Sequence, residues 1–268
     1  MASFSPRSVR LSRSGQLAEL RPDTLTDSGM VLTVGGAEQS HVELDDPSFL
    51  LHDYLRRMRS VLTATCGDFP GGHPRTLLHL GAGALTLPRW VQHRWPTTVQ
   101  TVVDYEPELV EFVLSAAPMQ PPPEVLTADA AEVFHGPLAA REFDVVVVDL
   151  YNSAQAPESL TSTGFFTAVR QAAAAGGLVL VNFGDDAGMD FARRVARTMI
   201  ESLGGPQCGL LSAPDGVIAA REEGNLVYAA RPGSGFSEQQ LGQIWAAGPH
   251  PGEVLTGEEL AAWAPPHR

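Results

Sequence analysis

The chain contains no lysine; all 18 of its basic residues are arginine. That absence excludes several chemistries. A Walker A loop needs its lysine on the nucleotide phosphates, and a protein kinase needs its strand lysine. Pyridoxal-phosphate enzymes and Schiff-base aldolases need a lysine amine. Cysteine is almost as scarce. Cys66 and Cys208 are too few for a disulfide framework or a structural zinc site. There is no HExxH and no CxxC, so no metal is expected. No apolar run approaches the ~20 residues of a membrane span. Arg7, Arg10 and Arg13 are not followed by the apolar segment of a secretory signal. These absences predict a cytoplasmic protein that does not touch a membrane. Positive charge is the sign in short supply, with 31 acids against 18 bases and a net charge of −13 over 268 residues. Such a chain does not attract nucleic acid or anionic lipid, and a cationic small molecule suits it better.

What is present is a pattern of short strands, then of strands alternating with helices. Residues 1–46 read as a β segment. Val9–Leu11, Leu17–Leu20, Met30–Val34 and His41–Leu44 alternate, with glycine turns between them. Residues 47–74 read as a helix and a linker, with Phe49, Leu50, Tyr54, Leu55, Met58 and Leu62 at spacings of three and four. Residues 75–232 carry the α/β signal. Strands are predicted at Thr76–Leu80, Val99–Val103, Val125–Thr127, Phe143–Val148 and Leu178–Phe183, and near Gly216–Ala220 and Leu226–Ala230. Residues 233–268 read as a tail of two short surface helices. The expected architecture is a doubly wound, mostly parallel, Rossmann-like sheet with a small N-terminal β domain. Such sheets bind ligands at the carboxyl ends of their strands, so strand-end residues become the site candidates.

Leu80-Gly81-Ala82-Gly83 joins the first of these strands to a helix. Glycine there lets the backbone approach a ligand, and the helix N-terminus offers free N–H groups; a plain tight turn explains it as well. Thr86 occupies the third glycine position of a dinucleotide fingerprint, which argues against a nicotinamide cofactor. Asp104 ends the next strand, 23 residues beyond Gly81, where an acid takes a ribose hydroxyl pair or caps the following turn. Asp129-Ala130 follows the third strand; the carboxylate can accept from an adenine amino group or serve as a helix cap. Asp149 ends the strand Phe143–Val148, after the unbroken apolar run Val145–Val148. A buried strand that ends in a charge needs a reason, and this carboxylate is placed to accept a proton or hold a cation. Together these residues form one coherent site for an adenosyl group. No nucleophile elbow accompanies Ser40-His41.

At this point the chain resembles the spermidine synthases (polyamine aminopropyltransferases), in a divergent bacterial branch. The resemblance runs over about residues 17–231. It rests on Gln39-Ser40-His41-Val42-Glu43-Leu44-Asp45-Asp46-Pro47, Tyr54-Leu55-Arg56-Arg57-Met58, the glycine turn, Asp104, Asp129-Ala130, Asp149, and Pro157-Glu158-Ser159-Leu160 before Phe165-Phe166. It implies a class I methyltransferase sheet with an N-terminal β domain, assembled as a homodimer or homotetramer. The implied donor is decarboxylated S-adenosylmethionine and the implied acceptor putrescine or a related amine. Gln39 then contacts the aminopropyl-sulfonium side of the donor, and Gly81 and Gly83 make room for the nucleoside. Asp104 holds the ribose, Asp129 with Ala130 the adenine, and Asp149 the attacking amine, with Tyr54 and Asn152 lining the acceptor channel. Two positions depart from the family pattern. Ala84 stands where its glycine loop carries an aspartate, and Asn152 where its central-strand loop carries a second one. A methyltransferase using ordinary S-adenosylmethionine, or a non-catalytic nucleoside- or polyamine-binding relative, accounts for the same adenosyl site.

Overall fold

In a computed structural model that describes residues 6–150 and 156–265, two sheets build the molecule. The first is four-stranded and antiparallel, in the order β1-β2-β3-β4: β1 (Arg7–Arg10), β2 (Leu17–Pro22), β3 (Gly29–Val34) and β4 (Ala37–Glu43). Helix α1 (Asp53–Thr65) follows. It starts later than the apolar spacing suggests, because Asp46 accepts the backbone N–H groups of Ser48 and Phe49 and turns the chain first.

The second sheet begins with β5 (Thr76–Leu80), α2 (Thr86–Arg94), β6 (Val99–Asp104), α3 (Leu109–Ala116), β7 (Glu124–Thr127) and β8 (Phe143–Val148). It continues with α4 (Thr163–Ala172), β9 (Ala173–Asp185), α5 (Asp190–Ser202), β10 (Gly209–Ala213), α6 (Asp215–Ile218) and β11 (Gly224–Ala230). The C-terminal region supplies α7 (Glu238–Ala247), β12 (Glu253–Thr256) and α8 (Gly257–Trp263). The strand order is β12-β10-β11-β9-β8-β5-β6-β7. Strands β5 to β9 pair in parallel, and β11, β10 and β12 extend the sheet by antiparallel pairing. The expected α/β class and the separate N-terminal sheet are both present.

Two strand expectations are corrected. The strand expected near Gly216–Ala220 lies instead at Gly209–Ala213. Pro214 redirects the chain there, and its carbonyl accepts the N–H groups of Val217 and Ile218 to start α6. The tail holds a strand as well as two helices. Four residues of β12 show no periodic signal, but they satisfy the outer backbone groups of β10, which burial would otherwise leave unpaired.

Side-chain alternation divides the parallel strands into two faces. On one, Leu78, Leu80, Val103, Val146, Val148, Val179 and Val181 pack against Phe165, Phe166 and Val169 of α4 and Val195 and Met199 of α5. On the other, Leu77, Val145, Val147, Leu178 and Leu180 pack against Leu55, Met58 and Leu62 of α1 and Leu87, Trp90 and Val91 of α2. Each such side chain, fully buried, contributes about 1.5–3 kcal/mol. The N-terminal sheet closes over the carboxyl ends of β5 and β6, where Leu20, Leu32 and Val42 meet Ala84, Leu85 and Val113. Polar bonds lock the two units together. The Glu106 carboxylate accepts the backbone N–H groups of Arg13 (3.0 Å) and Ser14 (2.7 Å). The Thr86 hydroxyl donates to the carbonyl of His41 at 2.7 Å. No helix among the described residues is long and apolar enough to cross a membrane.

Candidate active-site cleft

The second face of the sheet turns polar at its carboxyl end. Along β9 the inward row Leu178, Leu180 continues to Asn182; along β8, Val145 and Val147 continue to Asp149; along β5, Leu77 is followed by His79. On β6 the equivalent row is Gln100, Val102 and Asp104. Period-two alternation therefore places these polar groups side by side on neighbouring strands. A cleft of about 400 Å³ opens above them, between the strand ends and the N-terminal sheet. Gln39, Tyr54, Gly81, Gly83, Asp104 and Asp149 all line it, so the structure gathers these sequence candidates at one place.

The glycine turn is shaped by its neighbours. The Gly81 N–H donates to the carbonyl of Val103 (2.8 Å), and the Asp149 N–H to the carbonyl of Leu80 (2.9 Å). Gly81 has φ of +96°, and a Cβ there would collide with the Asp149 carbonyl; only glycine fits. A Cβ on Gly83 would meet the Ser40 hydroxyl of β4. The Asp104 carboxylate accepts the N–H groups of Ala82 and Glu106, both at 2.9 Å. It therefore fixes the turn while facing the cleft with its remaining lone pairs. Burial pushes its carboxyl above the ordinary value, and those backbone bonds partly offset the rise.

Asp149 sits at the centre of the cleft floor. Asn182 Nδ2 donates to its Oδ1 at 2.8 Å, and the Tyr54 hydroxyl donates to the same carboxylate. Burial raises the carboxyl of Asp149, opposed by these two bonds. Tyr54 is held well above its ordinary value by burial first and the Asp149 charge second. Among the described residues, the buried Asn182 Oδ1 has no hydrogen-bond partner beside this carboxylate. At the mouth, Glu38 faces the cleft, and His52 stacks on Tyr54 with ring centroids 5.9 Å apart. Burial lowers the His52 imidazole, against the pull of Glu38. Glu38, Asp104, Glu106 and Asp149 all line the cleft, and no arginine does so among the described residues. The arrangement offers oxygen acceptors to a cation and one buried carboxylate to a proton.

Other candidates stand elsewhere. Asp129 is exposed at the end of β7, next to β6, and its Oδ1 accepts the Ala131 N–H at 2.9 Å as a cap. Ala130 is buried in the core, and neither residue lines the cleft. Ala84 is fully buried against the N-terminal sheet. Asn152 lies outside the described residues. Asn182, Glu38, His52 and Glu106 line the cleft but were not among the sequence candidates. Asn182 alone carried a readable signal, a polar residue continuing the buried row Leu178, Leu180.

No family model matches the chain. Among curated relatives, the polyamine aminopropyltransferase of Neisseria meningitidis is 29% identical over 148 residues, 54% of either chain. That of Chromobacterium violaceum is 27% identical over 167 residues, 59% of either chain. The chain thus matches little more than half the length of these relatives. Among solved structures, a probable spermidine synthase from Corynebacterium glutamicum superposes with a TM-score of 0.84 at 22% identity, covering 96% of this chain and 93% of its own. A spermidine synthase in complex with the transition state analogue AdoDATO gives 0.60 at 15% identity over 85% and 74%. Human methyltransferase-like protein 13 in complex with SAH gives 0.54 at 16% identity over 74% and 90%.

Proposed function

We propose that this chain, a divergent spermidine-synthase-like protein, is a transferase that moves an aminopropyl group from decarboxylated S-adenosylmethionine to putrescine or a related amine. The observation that carries the reading is the Asp149 carboxylate, half-buried and clamped by Tyr54 and Asn182 on the floor of an acid-lined cleft. The cleft fits such a donor. In this reading the nucleoside lies along the glycine turn at Gly81 and Gly83, Asp104 holds the ribose and Gln39 contacts the sulfonium tail; all four residues line the cleft. Asp129, on the strand beside Asp104, is assigned to the adenine end.

The reaction is an in-line displacement. An ammonium group enters between Asp149 and the free Asn182 Oδ1 and gives one proton to the carboxylate. The resulting neutral amine attacks the methylene next to sulfur; a C–N bond forms, the C–S bond breaks, and its electron pair leaves with the thioether. The protein supplies position and a base, and general-base help of this kind is worth about 10²–10⁴-fold. Glu38, Asp104, Glu106 and Asp149 line the cleft and no arginine does among the described residues, which favours a donor without an α-carboxylate by charge repulsion.

Methyl transfer from ordinary S-adenosylmethionine is the second reading. Ala84 favours it, because its burial leaves the glycine turn without an acidic side chain for an ammonium tail. Calorimetry with the two donors separates the readings, together with mass detection of the aminopropylated amine. Tighter binding of the decarboxylated donor and product formation are expected. A preference for the carboxylated donor establishes methyl transfer instead, and binding without turnover of either leaves a nucleoside-binding relative.

A further inference from the structure

Beneath the glycine turn lies a smaller cavity of about 20 Å³. It shares Tyr54, Ser40 and Asp149 with the cleft but reaches down to His79 on β5. His79 is fully internal in a strand of leucines, where an aliphatic side chain would pack without polar cost. Its hydrogen bonds define its state. Gln100 Nε2 donates to the Pro88 carbonyl at 3.0 Å, which leaves Gln100 Oε1 as an acceptor. His79 Nε2 lies 2.9 Å from that oxygen and must be the donor. The ring is neutral, since burial pushes the imidazole down to about 4. Its Nδ1 is therefore the acceptor nitrogen of the ring.

We infer that this cavity binds one water molecule, and that His79 acts through it as a positioning residue for the Asp149 carboxylate. The volume suits a single water, which needs roughly 10–15 Å³ and two to four polar partners. The water donates one hydrogen to His79 Nδ1 and the other to Asp149, with the Ser40 and Tyr54 hydroxyls beside it. A donor to the carboxylate favours its charged form, so the bridge keeps Asp149 able to accept a proton and fixes its orientation from below. Asn182 and Tyr54 restrain the same group from its other sides. Among the described residues, the titratable groups lining the two cavities with Asp149 are Tyr54 on α1 and His52 just before it, His79 on β5, Glu38 on β4, and Asp104, Tyr105 and Glu106 at the end of β6.

Two measurements test this, the kinetic one resting on the proposed aminopropyl transfer and the structural one independent of it. A high-resolution crystal structure of the full chain should show a water within hydrogen-bond distance of both His79 Nδ1 and Asp149. A closed cavity, or a protein donor on Nδ1, overturns the inference whatever the activity. In His79→Leu, kcat should fall about ten-fold, the loss of one polar contact to a charged group. The acid limb of its pH profile should move to higher pH, with unchanged affinity for methylthioadenosine. His79→Gln, which keeps an acceptor on that side, should recover part of both effects. A wild-type acid limb in both variants overturns the positioning role. If His79→Leu fails to fold, His79→Gln and the wild-type water decide. A wild-type enzyme without transfer defeats the functional proposal instead and leaves the water test standing.

Discussion

The two faces of the parallel sheet are built from the same five strands, yet they do different work. On the α4/α5 face the apolar rows run to the carboxyl ends: Leu78 to Leu80, Val146 to Val148, Val179 to Val181 and on to Phe183. On the α1/α2 face the rows change character at the last one or two positions, to His79, Asp104, Asp149 and Asn182. The first face spends every position on packing. The second gives up apolar burial at the strand ends and must satisfy each polar group it buries. The pairing network His79–Gln100–Pro88 and the clamp Tyr54–Asp149–Asn182 meet most of that requirement, and among the described residues Asn182 Oδ1 is left without a partner. Substitutions on the two faces should therefore separate activity from stability.

The largest expected effect lies on the polar face. Asp149→Asn should lower the transfer rate about 10²–10⁴-fold while calorimetry still registers methylthioadenosine binding. Folding stability near neutral pH should not fall, because a half-buried charge has been removed. Equal rates in the two proteins would dismiss Asp149 as the base. Next in size is Phe166→Ala on the apolar face, where a fully buried ring is removed. Its unfolding midpoint should report a loss of about 3–5 kcal/mol with nucleoside affinity unchanged. An affinity loss matching the stability loss would erase the distinction between the faces.

The third effect is a pH dependence. His79 is pushed from 6.5 down to about 4 in the folded state, so the unfolded chain binds its proton first as pH falls. The stability that depends on neutral His79 is present in full above pH 6.5 and is lost as pH drops toward 4. The loss over that window is about 3 kcal/mol. Urea titrations of the wild type against His79→Gln should show the wild type losing more stability across the window. Parallel curves would mean that His79 titrates normally. The smallest effect belongs to the cleft mouth. Glu38 is solvated, and Glu38→Gln should raise KM for a cationic amine by less than about ten-fold, with kcat unchanged and the difference shrinking at high salt.

The alternation of Thr76–Leu80 and Phe143–Val148 with helical segments was enough to read the α/β class, and the carboxyl-end rule then pointed to Gly81, Asp104 and Asp149. Those residues were legible because each combines a local signal, a glycine or an acid, with a strand end. Asp129 carried the same signal yet caps its own turn, since a carboxylate serves a backbone N–H as readily as a ligand. Glu38 and His52 carried no such signal. They reach the cleft only because the N-terminal sheet folds over the strand ends, a long-range packing event without a sequence periodicity.

By itself the sequence determined the buried parallel strands, the glycine turn after the first of them, and which chemistries a lysine-free, cysteine-poor chain cannot perform. These follow from local backbone preferences and from the composition. Only the tertiary structure decided which polar residues share a wall. It paired Asn182 with Asp149 across neighbouring strands, set Tyr54 of α1 against that carboxylate, and buried Ala84 under the N-terminal sheet. Strand order and sheet-on-sheet closure bring together positions as far apart as Tyr54 and Asp149, and no periodicity along one chain encodes that proximity.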